Sequence, residues 1–334
     1  GYLLEFYFIT SVSISIASAF VSILVVRFHL NFPVESVIRY IKFSHETYSK
    51  MRNLAFSSLV STILFILYYE FDLIIGAQFY SLEALASYAI AFTLMNFIRT
   101  LSSIIYSPLL TYVNRLYGHG EKKIVDRSFS LIVRITVPLF MAVTIVLVAG
   151  SETLIFQWLD SESLLSVEVF KILLAGVFFV GFVNITPLIA TTFELNRVLI
   201  LTGLVPFVVY FFVFFVLQNF FPELGVIALA YAKACSSIAA ALFGIVFLLF
   251  KAIIKISTVF KFFLLTCVSG CIYFGLYTYA FEFMAEWDAS LPSLLVLLLF
   301  MGGMIGVLWC LYLLVFSSIR RLIQPFAIRL SGLG

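Results

Sequence analysis

Apolar residues in this chain do not alternate with polar ones; they run unbroken for long stretches between short polar connectors. A membrane-crossing helix needs about 20 mostly apolar residues. Nine segments fit: 3–26, 54–69 with an extension to 76, 84–113, 131–149, 168–192, 198–217, 225–250, 260–281 and 291–316. The connectors carry the helix breakers Gly118, Gly120, Gly150, Asn196, Pro222, Gly225 and Pro292. Barrel strands would show a two-residue alternation instead. The pattern therefore predicts an all-α integral membrane protein with nine transmembrane helices.

Basic residues sort by connector. Those after the odd-numbered segments hold Arg27, Arg39, Lys42, Lys50 and Arg52, then Arg115, Lys122, Lys123, Arg127 and Arg134. They continue with Arg197, with Lys251, Lys255 and Lys261, and with Arg320, Arg321 and Arg329. All but three of the 20 basic residues thus fall on one side, with His29, His45 and His119. The other side holds Glu70, Asp72, Glu83, Glu152, Asp160, Glu162, Glu223, Glu282, Glu286 and Asp288 and no Lys or Arg. Cations mark the cytoplasmic side, so the first segment is expected to enter from outside and the C-terminus to lie in the cytoplasm. The outside loops are too short for an extracytoplasmic domain. In the linker 27–52, Val34, Val37, Ile38 and Ile41 follow Pro33 at helical spacing, with Glu35, Arg39, Lys42 and Glu46 elsewhere on the wheel. An amphipathic helix lying on the cytoplasmic interface is expected there; an ordinary surface loop is the alternative.

Composition narrows the class further. Apolar residues make up 63% and charged ones 11% of 334 residues, against about 45–50% and about 25% in soluble domains. A water-soluble enzyme, a disordered tail and a fibrous repeat are excluded. The net charge of +3 says little about partners. Cys235, Cys267, Cys271 and Cys310 all sit in apolar runs, so four free, buried thiols are expected and no disulfide framework. The chain starts at Gly1 without a charged leader, and is expected to be an internal stretch with upstream helices missing.

Candidate chemistry lies in the three cations inside spans, Arg99, Lys171 and Lys233. A charge at mid-bilayer costs at least about 2.5–3.5 kcal/mol and normally faces a partner or a wet cavity. Arg99 is mid-segment, near Asn96, Ser102 and Ser103; Lys233 lies beside Tyr231, Ser236 and Ser237. Both are expected to line a polar cavity, with a hydrogen bond to a backbone carbonyl as the alternative. Lys171 lies nearer a segment end, one turn from Glu168, where an i,i+3 pair or snorkelling would satisfy it. Arg134 is expected to snorkel to the cytoplasmic side, with lining of an inward-open cavity as the alternative. Asn184 and Tyr88 are mid-segment polar groups, either bonds between helices or cavity lining. No carboxylate stands clearly at mid-membrane, where a proton relay would need one; Asp72 and Glu168 near the outer face are the nearest. Pro108, Pro138, Pro187 and Pro206 interrupt four segments and permit bends, while Gly302 and Gly306 form a packing motif. No phosphate-cradling loop, metal-ligand spacing or serine nucleophile motif is present, so no enzyme activity, cofactor or metal is expected.

Four motifs carry a resemblance. Tyr69-Glu-Phe-Asp72-Leu-Ile-Ile-Gly76 followed by Ser81-Leu-Glu-Ala-Leu-Ala-Ser87-Tyr88-Ala is similar to a helix–turn–helix element of bacterial polysaccharide (O-antigen) flippases, with Ser87 where glycine is commoner. Pro108-Leu-Leu-Thr-Tyr-Val with Gly118-His-Gly-Glu-Lys, Phe193-Glu-Leu-Asn196-Arg197, and Pro222-Glu-Leu-Gly225-Val-Ile-Ala-Leu-Ala230 resemble later elements in the same order. That family belongs to the multidrug/oligosaccharidyl-lipid/polysaccharide exporter superfamily, built as two six-helix bundles around a central cavity. The resemblance implies that 1–26 ends the first bundle, 27–52 links the bundles, and 53–250 is the complete second bundle. It leaves 251–334 as two additional transmembrane helices and a cytoplasmic tail, with five helices missing upstream. It also implies a function: translocation of undecaprenyl-pyrophosphate-linked oligosaccharide across the bacterial inner membrane by alternating access. The partners would be that lipid-linked glycan, membrane lipids and other polysaccharide-assembly proteins, with no nucleic acid. Arg99 and Lys233 suit a pyrophosphate on physical grounds, with Asn96, Lys171, Asn184 and Tyr88 as further candidate contacts. The alternatives are a multidrug/cation antiporter of the same superfamily and a membrane O-antigen polymerase or ligase. The antiporter needs a buried carboxylate; the polymerase or ligase usually needs a large basic outer loop.

Overall fold

The computed structural model describes residue 18 and residues 45–120, 122–159, 164–284 and 291–315. The first apolar segment, most of the linker 27–52 and the tail after 315 lie outside the described residues. The chain divides into two compact units, Gly1–Arg52 and Asn53–Gly334; apart from the start of the first helix below, the elements described lie in the second.

Every regular element among the described residues is helical. The long helices are α1 (His45–Phe79), α2 (Leu82–Gly118), α3 (Lys122–Leu159), α4 (Leu164–Val177), α5 (Val180–Thr192) and α6 (Asn196–Phe220). A short 3-10 turn, Pro222–Leu224, precedes α7 (Ile227–Phe250), α8 (Ile256–Met284) and α9 (Leu291–Val315). Seven are long and apolar enough to cross a membrane, or eight when the bent pair α4–α5 counts as one span. These eight match the second to ninth segments of the sequence. The protein is a multi-pass membrane protein: Asp72, Lys233, Ser102, Thr136, Ser236 and other polar side chains are buried within the spans, while Leu59, Ile63, Phe212, Leu242, Leu264 and many other large apolar residues face outward.

Local chemistry explains the turns. Ser81 caps α2, its Oγ accepting from the Ala84 N–H at 3.3 Å. Pro222 opens the 3-10 turn, and Gly225 takes a positive φ of 54° where the chain reverses into α7. The segment 168–192, expected as one helix, is two, bent by 44° at Phe178–Phe179.

α6 and α7 pack along each other, and α4 sits between α2, α3 and α7. α8 and α9 lie against α3. Trp309 Nε1 donates to the Ile135 carbonyl at 3.0 Å, in the stretch of backbone that Pro138 loosens. Tyr312 donates to Thr266 Oγ1 at 3.1 Å, tying α9 to α8. At Gly181 an added Cβ would come within 2.8 Å of the Val137 Cα, so α5 and α3 touch backbone to backbone. The core falls into two clusters along the bundle, one around Phe170, Leu173 and Phe214, the other around Phe129, Phe140 and Phe182. The four cysteines are free, as expected, but exposed rather than buried. Each lies on the outward face of its helix, where a thiol is as compatible with lipid as with a core.

Candidate functional site

Tyr68 and Asp72 stand one turn apart on α1 and share a face; Lys233, Ser236 and Ser237 share a face of α7. Where these faces meet, Lys233 Nζ lies 2.9 Å from Asp72 Oδ2 and 3.1 Å from Oδ1, both side chains wholly buried. The ammonium also donates to the Tyr68 carbonyl. Tyr88 of α2 donates to Asp72 Oδ2 at 2.6 Å. The Tyr68 hydroxyl accepts from Ser236 Oγ at 3.0 Å and lies 2.9 Å from Ser237 Oγ. Four rings enclose the ammonium, with centroids at 4.2 Å (Tyr68), 5.0 Å (Tyr69), 5.1 Å (Phe92) and 5.3 Å (Tyr210). A buried cation survives only when paired and hydrogen-bonded, and cation–π contact adds to the pairing once water is gone. The Tyr210 hydroxyl, by contrast, is buried without a hydrogen-bond partner.

Two expectations change here. Lys233 does not line an open cavity; it is enclosed and ion-paired. A fully buried carboxylate also exists, on the face of α1 that meets Lys233 and Tyr88, and α1 runs on to Phe79, beyond Gly76. Asp72 therefore sits about two turns inside the helix rather than at its mouth.

Arg99 is placed differently. It is half-buried, and its guanidinium carbon lies 4.1 Å from the Tyr69 ring centroid. Both cations thus approach the Tyr69 ring, Arg99 at 4.1 Å and Lys233 at 5.0 Å from its centroid. Arg99 lines a cavity of about 400 Å³ whose polar wall is Ser102, Ser103, Ser107, Asn184 and Thr191 and whose apolar wall includes Phe65 and Pro187. Asn184 Nδ2 donates to Ser102 Oγ at 3.0 Å, and Ser102 Oγ donates to the Arg99 carbonyl at 2.6 Å. The amide of α5 and the hydroxyls of α2 so hold one wall of a chamber that a cation overlooks. Chemically, this is a small anion-compatible site with hydroxyl and amide groups suited to phosphate or sugar oxygens.

The other candidates separate from it. Lys171 pairs with Glu152 of α3 at 2.6 Å, not with Glu168, since packing of α4 on α3 brings Glu152 closer than the neighbouring turn can. Tyr88 belongs to Asp72. Asn96 is half-buried, and its carbonyl accepts from Thr100; it does not border the Arg99 chamber. Sequence reasoning missed Tyr68, Tyr69 and Asp72 as a unit. The readable signal was a polar stripe, Asp72 at i+4 from Tyr68, matched by Ser236 and Ser237 at i+3 and i+4 from Lys233. Among the described residues no group of three His, Cys, Asp or Glu side chains could hold a metal. Compared with known proteins, the sequence matches no family model and no curated protein.

Proposed function

We propose that the chain forms part of a lipid-linked oligosaccharide flippase, moving undecaprenyl-pyrophosphate-linked repeat units from the cytoplasmic to the periplasmic leaflet of a bacterial inner membrane. In this reading, 53–250 is the second of two six-helix bundles, the two last helices are an appendage, and the C-terminus is cytoplasmic. The observation that carries it is Arg99: a half-exposed guanidinium midway along an apolar helix, at the edge of an open cavity with hydroxyl and amide groups on one wall. Such a charge offsets the cost of bringing a diphosphate out of water, while the isoprenoid tail stays in lipid. Lys233 then acts on the passenger through Tyr69 and the fold, its own charge being balanced by Asp72.

The test is Arg99→Ala in cells whose surface polysaccharide depends on this chain. Polysaccharide display is expected to be lost at unchanged protein level, and Arg99→Lys to restore part of it, since lysine keeps the charge without the planar fork. Normal display in Arg99→Ala removes the chamber from the mechanism. The second reading, a multidrug/cation antiporter, draws support from the buried carboxylate of Asp72. It expects extrusion of a cationic dye that Asp72→Asn abolishes and Arg99→Ala spares.

A further inference from the structure

A second cavity, of about 610 Å³, opens between α3, α4 and α8, within the range of about 300–1,000 Å³ common for small-molecule sites. Its long wall is apolar: Ile145, Val148 and Ala149 of α3 face Phe178 and Phe274. α8 presents Gly270 there, where an added Cβ would meet nothing within 4 Å. The lining also includes Glu152 and Lys171, each about 10 Å along its helix from the α3–α4 connection (seven residues at about 1.5 Å rise). That is the depth of the headgroup boundary rather than of mid-bilayer. The two charges pair at 2.6 Å, yet Glu152 is 56% and Lys171 39% exposed, so each keeps an open face.

We propose that this groove is a binding site for one phospholipid with a primary-amine headgroup, independent of the translocation reading. The acyl chain lies along Ile145, Val148 and Phe274 in the space that Gly270 leaves. The headgroup phosphate accepts from Lys171 and its ammonium donates to Glu152. The paired charges set the selectivity. A purely anionic headgroup meets the Glu152 carboxylate, and a quaternary amine has no N–H to donate to it. A headgroup carrying both a phosphate and an ammonium gives each side chain a charge-assisted hydrogen bond and an opposite charge, whereas a glycerol headgroup can donate its hydroxyls to Glu152 but brings no cation to balance it.

The probe lipids are palmitoyl-oleoyl phosphatidylethanolamine, phosphatidylcholine and phosphatidylglycerol, offered to the purified full chain in mixed vesicles, with retention read by native mass spectrometry. Phosphatidylethanolamine is expected to be retained about tenfold over the other two, a difference of about 1.4 kcal/mol. Lys171→Gln and Gly270→Leu should each erase that preference. The Glu152–Lys171 pair is partly exposed, so its loss leaves folding largely intact, and Gly270→Leu adds bulk only to open space. Gly302→Leu, on α9 and equally unobstructed, should keep the preference. Equal retention of all three headgroups overturns the proposal. So does a preference that survives either groove variant, that Gly302→Leu also abolishes, or that goes to an added polyprenyl diphosphate instead.

Discussion

Lys233 holds its charge inside the bundle because Asp72 meets it there, and each is the other's only opposite charge within ion-pair distance among the described residues. Removing one partner strands the other in a medium that cannot solvate it. Lys233→Met is therefore expected to cost about 3–5 kcal/mol, and Lys233→Met with Asp72→Leu to recover much of that loss. Thermal unfolding of the two variants in one detergent measures the difference; an equal loss in both would show that the pair is not coupled. Arg99 was legible in the sequence, because a cation at mid-span has to find water or a partner wherever the fold puts it. Asp72 was not, because its burial depends on which face of α1 meets Lys233 and Tyr88; Glu70, two residues deeper in the helix, is exposed. Tyr69 was hidden for another reason: among 39 Phe and 17 Tyr, nothing in the pattern marks the one ring that two cations share.

Helix existence was written in the length of the apolar runs, and the caps and breakers placed most ends within a few residues. The bend between α4 and α5 was less visible. Pro187 suggested an interruption in that segment, yet the break falls earlier, at Phe178–Phe179, where no proline or glycine stands. Both halves pack on α2, α3 and α7, α5 reaching α6 as well and meeting α3 backbone to backbone at Gly181, so the bend is a feature of the packed bundle that local sequence does not mark. Gly181→Val is expected to force α5 off α3 and destabilise the protein by about 1–3 kcal/mol, the usual range for overpacking. Gly302→Val, facing open space, should leave the melting temperature nearly unchanged. Equal melting temperatures for the two variants would show that the α3–α5 contact is not tight.

Across the whole molecule, the division of charge between the two ends was the strongest signal in the sequence. The Glu223 turn and the Lys255 turn are both exposed and are expected on opposite sides of the membrane. In intact cells, Glu223→Cys should react with a membrane-impermeant maleimide, and Lys255→Cys only after the membrane is opened. The reverse order would invert the topology. The four native thiols lie on outward helix faces and call for a cysteine-free background.

Trp309 has a practical consequence for anyone trimming the gene. A product stopped before Leu291, at the connection between α8 and α9, removes the indole that donates to the Ile135 carbonyl. The Ile135 carbonyl then keeps only its bond within α3, in a turn where Pro138 already leaves the Arg134 carbonyl without a helical donor, and the face of α3 that α9 covers is opened to lipid. The shortened protein is one that a cell's membrane proteases should clear, whatever its remaining helices carry.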